Sequence, residues 1–324
     1  MKKNMLILMT VITTLNARNI PVPATFGVDF HTSMESTSAY NRRLASNNKW
    51  SRTIELYTQH IVKNRVLADT PRIPTFIHQI WLGSVLPDSC KALQKTWFEH
   101  QGDWAYFYWT DTISEPLAAD ALVLAPHSFQ EITVFIKNTD LKHRVVVIDV
   151  RGLDFSTRKH FEARANYGEK SDILRYEILY HCGGLYVDTD FECLQSFDVF
   201  NYACDFYAGI DTGKYGYFIH NSLIASRAKH PIVEGCMHAI RAQTPQQARY
   251  TGNDVMSRTG PILLTNEVWK HISTCNDRTV IFPITYFHPW PNLYKDANTR
   301  AQIERWIKPE SYGIHHWHVS WLPQ

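Results

Sequence analysis

The chain has 324 residues, of which 44% are hydrophobic and 20% charged, and a formal net charge of +2. That length allows one large α/β domain or two small ones around a substantial core, and the composition is that of an ordinary globular protein. A nearly balanced charge with no Lys/Arg run leaves no electrostatic footprint for nucleic acid, which is excluded as a partner.

At the N-terminus, Lys2 and Lys3 precede a short apolar run, Met5 to Leu15, and Leu15-Asn16-Ala17 offers an approximate small-residue cleavage site. Residues 1–17 therefore read as a secretory signal peptide or short anchor, although the run is short for spanning a bilayer. The expectation is export, or membrane association through this segment; a disordered leader on a cytoplasmic protein is the alternative. Residues 18–70 are polar, with a helix expected over Trp50–Leu67, and read as a leader plus an accessory helical segment. The main domain spans 71–324. Six cysteines are scattered without CxxC spacing, so they permit disulfides and argue against a zinc site.

In the main domain, Thr75–Ile80 reads as a first strand, Asp88–His100 as a helix and Trp104–Trp109 as an aromatic second strand. Arg144–Val150, β-branched, is a third strand, and the alternation predicts a parallel sheet. Phe206–Ile210 and Tyr217–Ala225 read as further strands. Pro231–Arg241 and Pro261–Ile272 read as helices, each opening with a proline, which suits a first turn.

The most informative block is Ser171 to Asp190, SDILRYEILYHCGGLYVDTD. Ser171 is a plausible N-cap, Ile173, Leu174, Ile178 and Leu179 give a helical apolar stripe, and Gly183-Gly184 supplies the exit. Asp172 and Arg175 sit about one turn apart on one face. Leu185-Tyr186-Val187 is a short buried strand, and Asp188 and Asp190 at its carboxyl end point the same way. Such a pair of hard oxygen donors suits Mg²⁺ or Mn²⁺ carrying substrate phosphates. Alone, Asp-X-Asp also occurs in solvated turns, and an i,i+3 Asp-Arg pair on exposed helix faces.

This block, with IPTFIHQIW at Ile73–Trp81 and HHWHVSW at His315–Trp321, resembles the DXD-containing sugar-transfer domain of glycosyltransferase family 32. That family includes the Och1-like mannosyltransferases, and the catalytic domain of large clostridial glucosylating toxins is a more distant relative. The resemblance runs in order over most of the chain. It implies an α/β fold of GT-A type, a mostly parallel Rossmann-like sheet flanked by helices, here with an N-terminal helical extension. It further implies a nucleotide-sugar donor, Mn²⁺ or Mg²⁺, transfer with retention, and a glycan, lipid or protein acceptor.

By the same resemblance Asp188 and Asp190 hold the metal, Asp172 and Arg175 meet the donor sugar, and Tyr186 lies close to it. Trp81 stacks the base, and Asn221 in HNSLIAS lies near sugar and acceptor. If the tail is extended, His316, His318 and Ser320 share one face and Trp317 and Trp321 the other. The resemblance closes this tail over the diphosphate, with His316 on the metal, Ser320 on phosphate or metal-bound water, and Trp321 on the leaving group. Alternation does not separate His316 from His318. His78 and Gln79 read as structural. The function implied is hexose transfer from GDP-mannose or a UDP-hexose. The rivals are a host-directed glycosylating effector and a non-catalytic sugar- or partner-binding descendant of the fold.

Overall fold

The structure, a computed structural model, describes residues 20, 22–35, 47–113, 119–213, 216–245, 252–296 and 299–318. The signal or anchor expected over 1–17 lies outside the described residues, as do Ser320 and Trp321. Among the described residues no helix is long and apolar enough to cross a membrane.

The described residues hold ten strands in chain order: β1 Phe76–Trp81, β2 Ala105–Thr110, β3 Leu122–Leu124, β4 Val145–Asp149, β5 Gly184–Val187, β6 Phe191–Cys193, β7 Phe206–Gly213, β8 Gly216–Ser226, β9 Thr279–Phe282 and β10 Gly313–His315. Eight form one sheet in the order β3-β4-β2-β1-β5-β8-β7-β9, while β10 and β6 make a separate antiparallel pair. Every neighbour in the large sheet is parallel except across β8, which runs antiparallel to both β5 and β7. The central strands AYFYWT and VVVID are buried along their whole length. Strands that are apolar without alternation need cover on both faces, and helices flank the sheet accordingly. The mostly parallel sheet flanked by helices is thus the arrangement expected.

The helices Asp88–His100, Pro231–Arg241 and Pro261–Ile272 match their predicted bounds. The N-terminal helix runs over Asn48–Tyr57 and widens into a π-helical stretch, Thr58–Lys63, ending before the predicted Leu67. It is bound into the core: the Tyr57 hydroxyl donates to Val28 O at 2.7 Å, and Gly27 N donates to the Tyr286 hydroxyl at 2.9 Å. All six cysteines are free thiols, and all are buried.

The helix carrying Asp172 and Arg175 begins earlier than the sequence indicates. It spans Tyr167–Cys182, capped by Asn166, whose Oδ1 accepts from Glu169 N, so Ser171 lies inside it. It is buried on nearly all sides, including Glu169, Asp172, Arg175 and Glu177. A helix so enclosed must pair its charges. Glu177 takes hydrogen bonds from Ser156 Oγ and from Thr157 N and Oγ1, and Glu169 pairs with Arg258 at 2.9 Å. At the exit Gly183 and Gly184 have φ of 66° and 103°. A Cβ on Gly183 would lie 2.8 Å from Ala228 N, so glycine is required both for the left-handed turn and for the close approach. This turn feeds the helix straight into β5 and sets Asp188 at the strand's carboxyl end.

Candidate active site

Asp172 and Arg175 are 6% and 4% exposed, which rules out a solvated surface pair. Arg175 Nη2 lies 2.9 Å from Asp172 Oδ1 and 3.4 Å from Asp188 Oδ1, so one guanidinium joins helix and strand. Asn221 locks both partners at once: its Nδ2 donates to Asp172 Oδ1 at 2.8 Å, and its backbone O accepts from Arg175 Nη1 at 2.5 Å. Thr259 Oγ1 donates to Asp172 Oδ2 at 2.8 Å. Burial pushes the Asp172 carboxyl up to about 6, against the pull of Arg175, Thr259 and Asn221. The Arg175 guanidinium lies over the Tyr186 ring at 4.3 Å, and the Tyr186 hydroxyl donates to Asp188 Oδ1 at 2.6 Å. Asn221, weakly signalled in the sequence, therefore sits at the centre of the arrangement. Thr259, two residues before the Pro261–Ile272 helix, joins it.

The tail departs from expectation. Strand β10 pairs His315 with Phe191, and the two rings stack at 5.2 Å. Trp317 then takes a positive φ of 55°, which ends the extended run. Its Nε1 donates to Trp290 O at 3.0 Å, anchoring the turn. On this strand His315 Nε2 lies 3.1 Å from Asp190 Oδ1 and 3.9 Å from Asp188 Oδ2. His316 is directed elsewhere, its Nε2 being 2.9 Å from Glu192 Oε2, and His318 contributes a backbone N–H to Asp190 Oδ2 at 2.9 Å. The histidine brought to the acidic pair is thus His315, and the assignment of His316 is corrected.

Asp188, Asp190 and His315 present ligand atoms that all lie within 4.8 Å of one another. Two carboxylates and an imidazole are a donor set that fits Mn²⁺. His315 Nδ1, buried, has no hydrogen-bond partner among the described residues. The electrostatics of the two carboxyls diverge. Burial raises Asp188 despite Arg175. It acts the same way on Asp190, but His315 and the His318 N–H outweigh it and hold Asp190 well below the usual carboxylate range. Burial opposes a charged His315, yet Asp190 and Asp188 lift its pKa above the ordinary value.

These groups open onto a cleft of about 900 Å³, which Trp81 and Tyr186 also line. Trp81 is half-buried, its Nε1 donating to Ser84 Oγ at 3.1 Å, and it offers a ring to the cleft. His78 and Gln79 are structural as expected. His78 Nδ1 accepts from Trp109 Nε1 and its Nε2 lies 2.9 Å from Gly183 O, while Gln79 Nε2 donates to the Asp188 carbonyl at 3.2 Å. Two cleft residues escaped the sequence reading. His220 precedes the flagged Asn221, and burial holds its pKa well below the ordinary value. Asp211 carried no motif at all; it is 3% exposed, and burial pushes it up to about 7.

The site is an Asp-X-Asp pair at the carboxyl end of a strand in a mostly parallel α/β sheet flanked by helices. Residues 87–206, which include Asp172, Arg175, Tyr186, Asp188 and Asp190, match the family described as "Glycosyltransferase sugar-binding region containing DXD motif". Inositol phosphoceramide mannosyltransferase 2 of Schizosaccharomyces pombe is 25% identical over 159 residues, 49% of this chain and 37% of that protein. Inositol phosphoceramide mannosyltransferase 3 of the same yeast is 23% identical over 284 residues, 82% of this chain and 64% of that protein. The chain thus spans less than two thirds of the length of either. Among solved structures, PaToxG glycosyltransferase is similar with a TM-score of 0.42 and 17% identity, over 71% of this chain and 78% of that one.

Proposed function

We propose that the protein is a retaining, divalent-cation-dependent glycosyltransferase that moves a hexose from a nucleotide sugar, GDP-mannose or a UDP-hexose, to a glycan, glycolipid or protein acceptor. The observation that carries the reading is the convergence of Asp188, Asp190 and His315 with the Asp172–Arg175–Asn221 lock in one cleft. The names of the yeast relatives support mannose as the sugar and an inositol-bearing lipid as acceptor. Residues 71–324 would form the catalytic domain, with 1–17 serving export or membrane association.

Asp188, Asp190 and His315 would hold the cation, which when bound neutralises charge on the departing diphosphate. Arg175 adds a cation whose position is fixed beforehand by Asp172, Asp188 and Asn221, so little reorganisation is needed as charge develops. Trp81 offers a stacking surface for the base. In the transfer, the bond from the anomeric carbon to the phosphate oxygen breaks and a bond to the acceptor oxygen forms on the same face. The acceptor proton passes to the departing phosphate oxygen. Asp172 has both oxygens engaged by Arg175, Asn221 and Thr259, which suits positioning and not nucleophilic attack.

The test is hydrolysis of a panel of GDP- and UDP-sugars with Mn²⁺, compared with Asp190→Ala and with chelator. Cleavage of one donor, lost in both controls, is expected. Neither cleavage nor metal-dependent nucleotide binding in the wild type would favour the non-catalytic rival, and transfer to a host protein in place of a glycan or lipid would select the effector.

A further inference from the structure

One wall of the cleft is left without a task by that reading. On β7 and β8 the register pairs Asp211 with Phe218 and Gly209 with His220, so Asp211, Phe218 and His220 share one face of the sheet. All three line the cleft, together with Trp317. Asp211 Oδ1 is buried and has no hydrogen-bond partner among the described residues. Such an oxygen is costly unless a ligand meets it.

The tautomer of His220 follows from its neighbour. The β7–β8 ladder shifts register beyond Ala208, and the Ser222 N–H turns to His220 Nδ1 at 3.2 Å. A backbone N–H can only donate, so Nδ1 is the lone-pair nitrogen and the neutral ring carries its proton on Nε2. The wall therefore offers a carboxylate acceptor, an N–H donor, and the aromatic faces of Phe218 and Trp317. Trp317 lies 5.5 Å from the His220 ring.

A carboxylate repels a diphosphate but accepts from neutral hydroxyls, and an imidazole N–H donates to them, while ring C–H groups pack on aromatic faces. His315 stands between this wall and the acidic pair, with Nε2 on Asp190 and its ring 5.6 Å from His220. We infer that Asp211, Phe218, His220 and Trp317 form the acceptor subsite, and that the acceptor presents a hydroxyl-rich ring, a hexose or a cyclitol. This inference rests on the glycosyl-transfer reading above.

The experiment uses the full chain, the donor found in the hydrolysis panel, and myo-inositol and methyl α-mannoside as acceptor probes. Asp211→Asn is expected to raise the KM for the better probe at least tenfold while the KM for the nucleotide sugar stays within twofold. A rise in donor KM instead, an unchanged acceptor KM, or a hexose found covalently on Asp211 by mass spectrometry after incubation with donor would overturn it. Saturation-transfer NMR with the same probes separates the two readings. Asp211-dependent contact in a protein that cleaves no donor would sustain the subsite and defeat the transferase, whereas donor cleavage without contact from either probe would defeat the subsite alone. Should Asp211→Asn fail to fold, His220→Phe takes its place, with the same KM split expected and the same results overturning it.

Discussion

Among the described residues, two groups of histidine and aspartate have nearly the same spacing and opposite character. In the cleft, His315 Nε2 lies 3.1 Å from Asp190; behind the sheet edge, His230 Nε2 and His271 Nε2 each lie 3.1 Å from Asp277 Oδ2. The second group is closed. His230 Nδ1 accepts from Ile232 N at the start of the Pro231–Arg241 helix, which leaves the proton of the neutral ring on Nε2, 3.1 Å from Asp277 Oδ2. Asp277 Oδ1 is taken by Thr279 Oγ1 at 2.6 Å. A metal-bound imidazole needs the reverse tautomer. His315 has its second nitrogen unclaimed among the described residues and faces a second carboxylate across an open cleft. Residue type and spacing therefore do not distinguish a ligand set from a structural clamp; the partner of the other imidazole nitrogen does.

The comparison can be broken most sharply at Asp190. Asp190→Ala should lower Mn²⁺-dependent turnover by roughly three orders of magnitude, the scale of removing a preorganised electrostatic contact; near-normal turnover would place both clusters in the structural class. Asp277→Ala should instead cost about 3 kcal/mol in urea unfolding, because it strands one buried and one partly buried imidazole. Loss of Mn²⁺ affinity in that variant, with stability unchanged, would reverse the roles assigned here.

His78 sharpens the contrast as a histidine with both nitrogens engaged. Burial lowers its pKa to about 4, against 6.5 unperturbed. Between these values only the unfolded chain binds the proton, so its contribution is complete above pH 6.5 and is lost as pH falls toward 4. Unfolding free energies at pH 7.5 and near 4 should differ by roughly 3 kcal/mol more in the wild type than in His78→Gln. Equal pH slopes would show that this ring is not buried neutral.

Smaller effects remain at the tail. His315→Gln should weaken Mn²⁺ binding about 10–100-fold in calorimetric titration, the range for a supporting or peripheral metal contact. His316→Ala, whose ring rests on Glu192, should change it by about twofold or less. An inverted order for these two would restore the assignment that the family resemblance implied.

Much of the site was legible because it lies in one contiguous segment. Asp172, Arg175, Tyr186, Asp188 and Asp190 are placed by a helix, a glycine turn and a strand, each with local rules. The helix bounds at Asp88, Pro231 and Pro261 were readable for the same reason. The cap at Asn166 was missed because the helix is buried on all sides, so an apolar stripe could not mark its start. Asp211 gave no signal, since a lone carboxylate has meaning only through what packs against it.

The sequence by itself determined the α/β alternation, the acidic pair at the end of β5 and the glycines that bring the preceding helix to it, because backbone geometry acts over a few residues. Tertiary structure alone decided which histidine meets that pair. The antiparallel register of β10 on β6, which sets His315 against Phe191, turns His315 inward and His316 onto Glu192. It also decided that Asn221 and Thr259, 49 and 87 residues from Asp172, close on one carboxylate. Contacts at such separation are set by chain packing, which no local pattern of residues encodes.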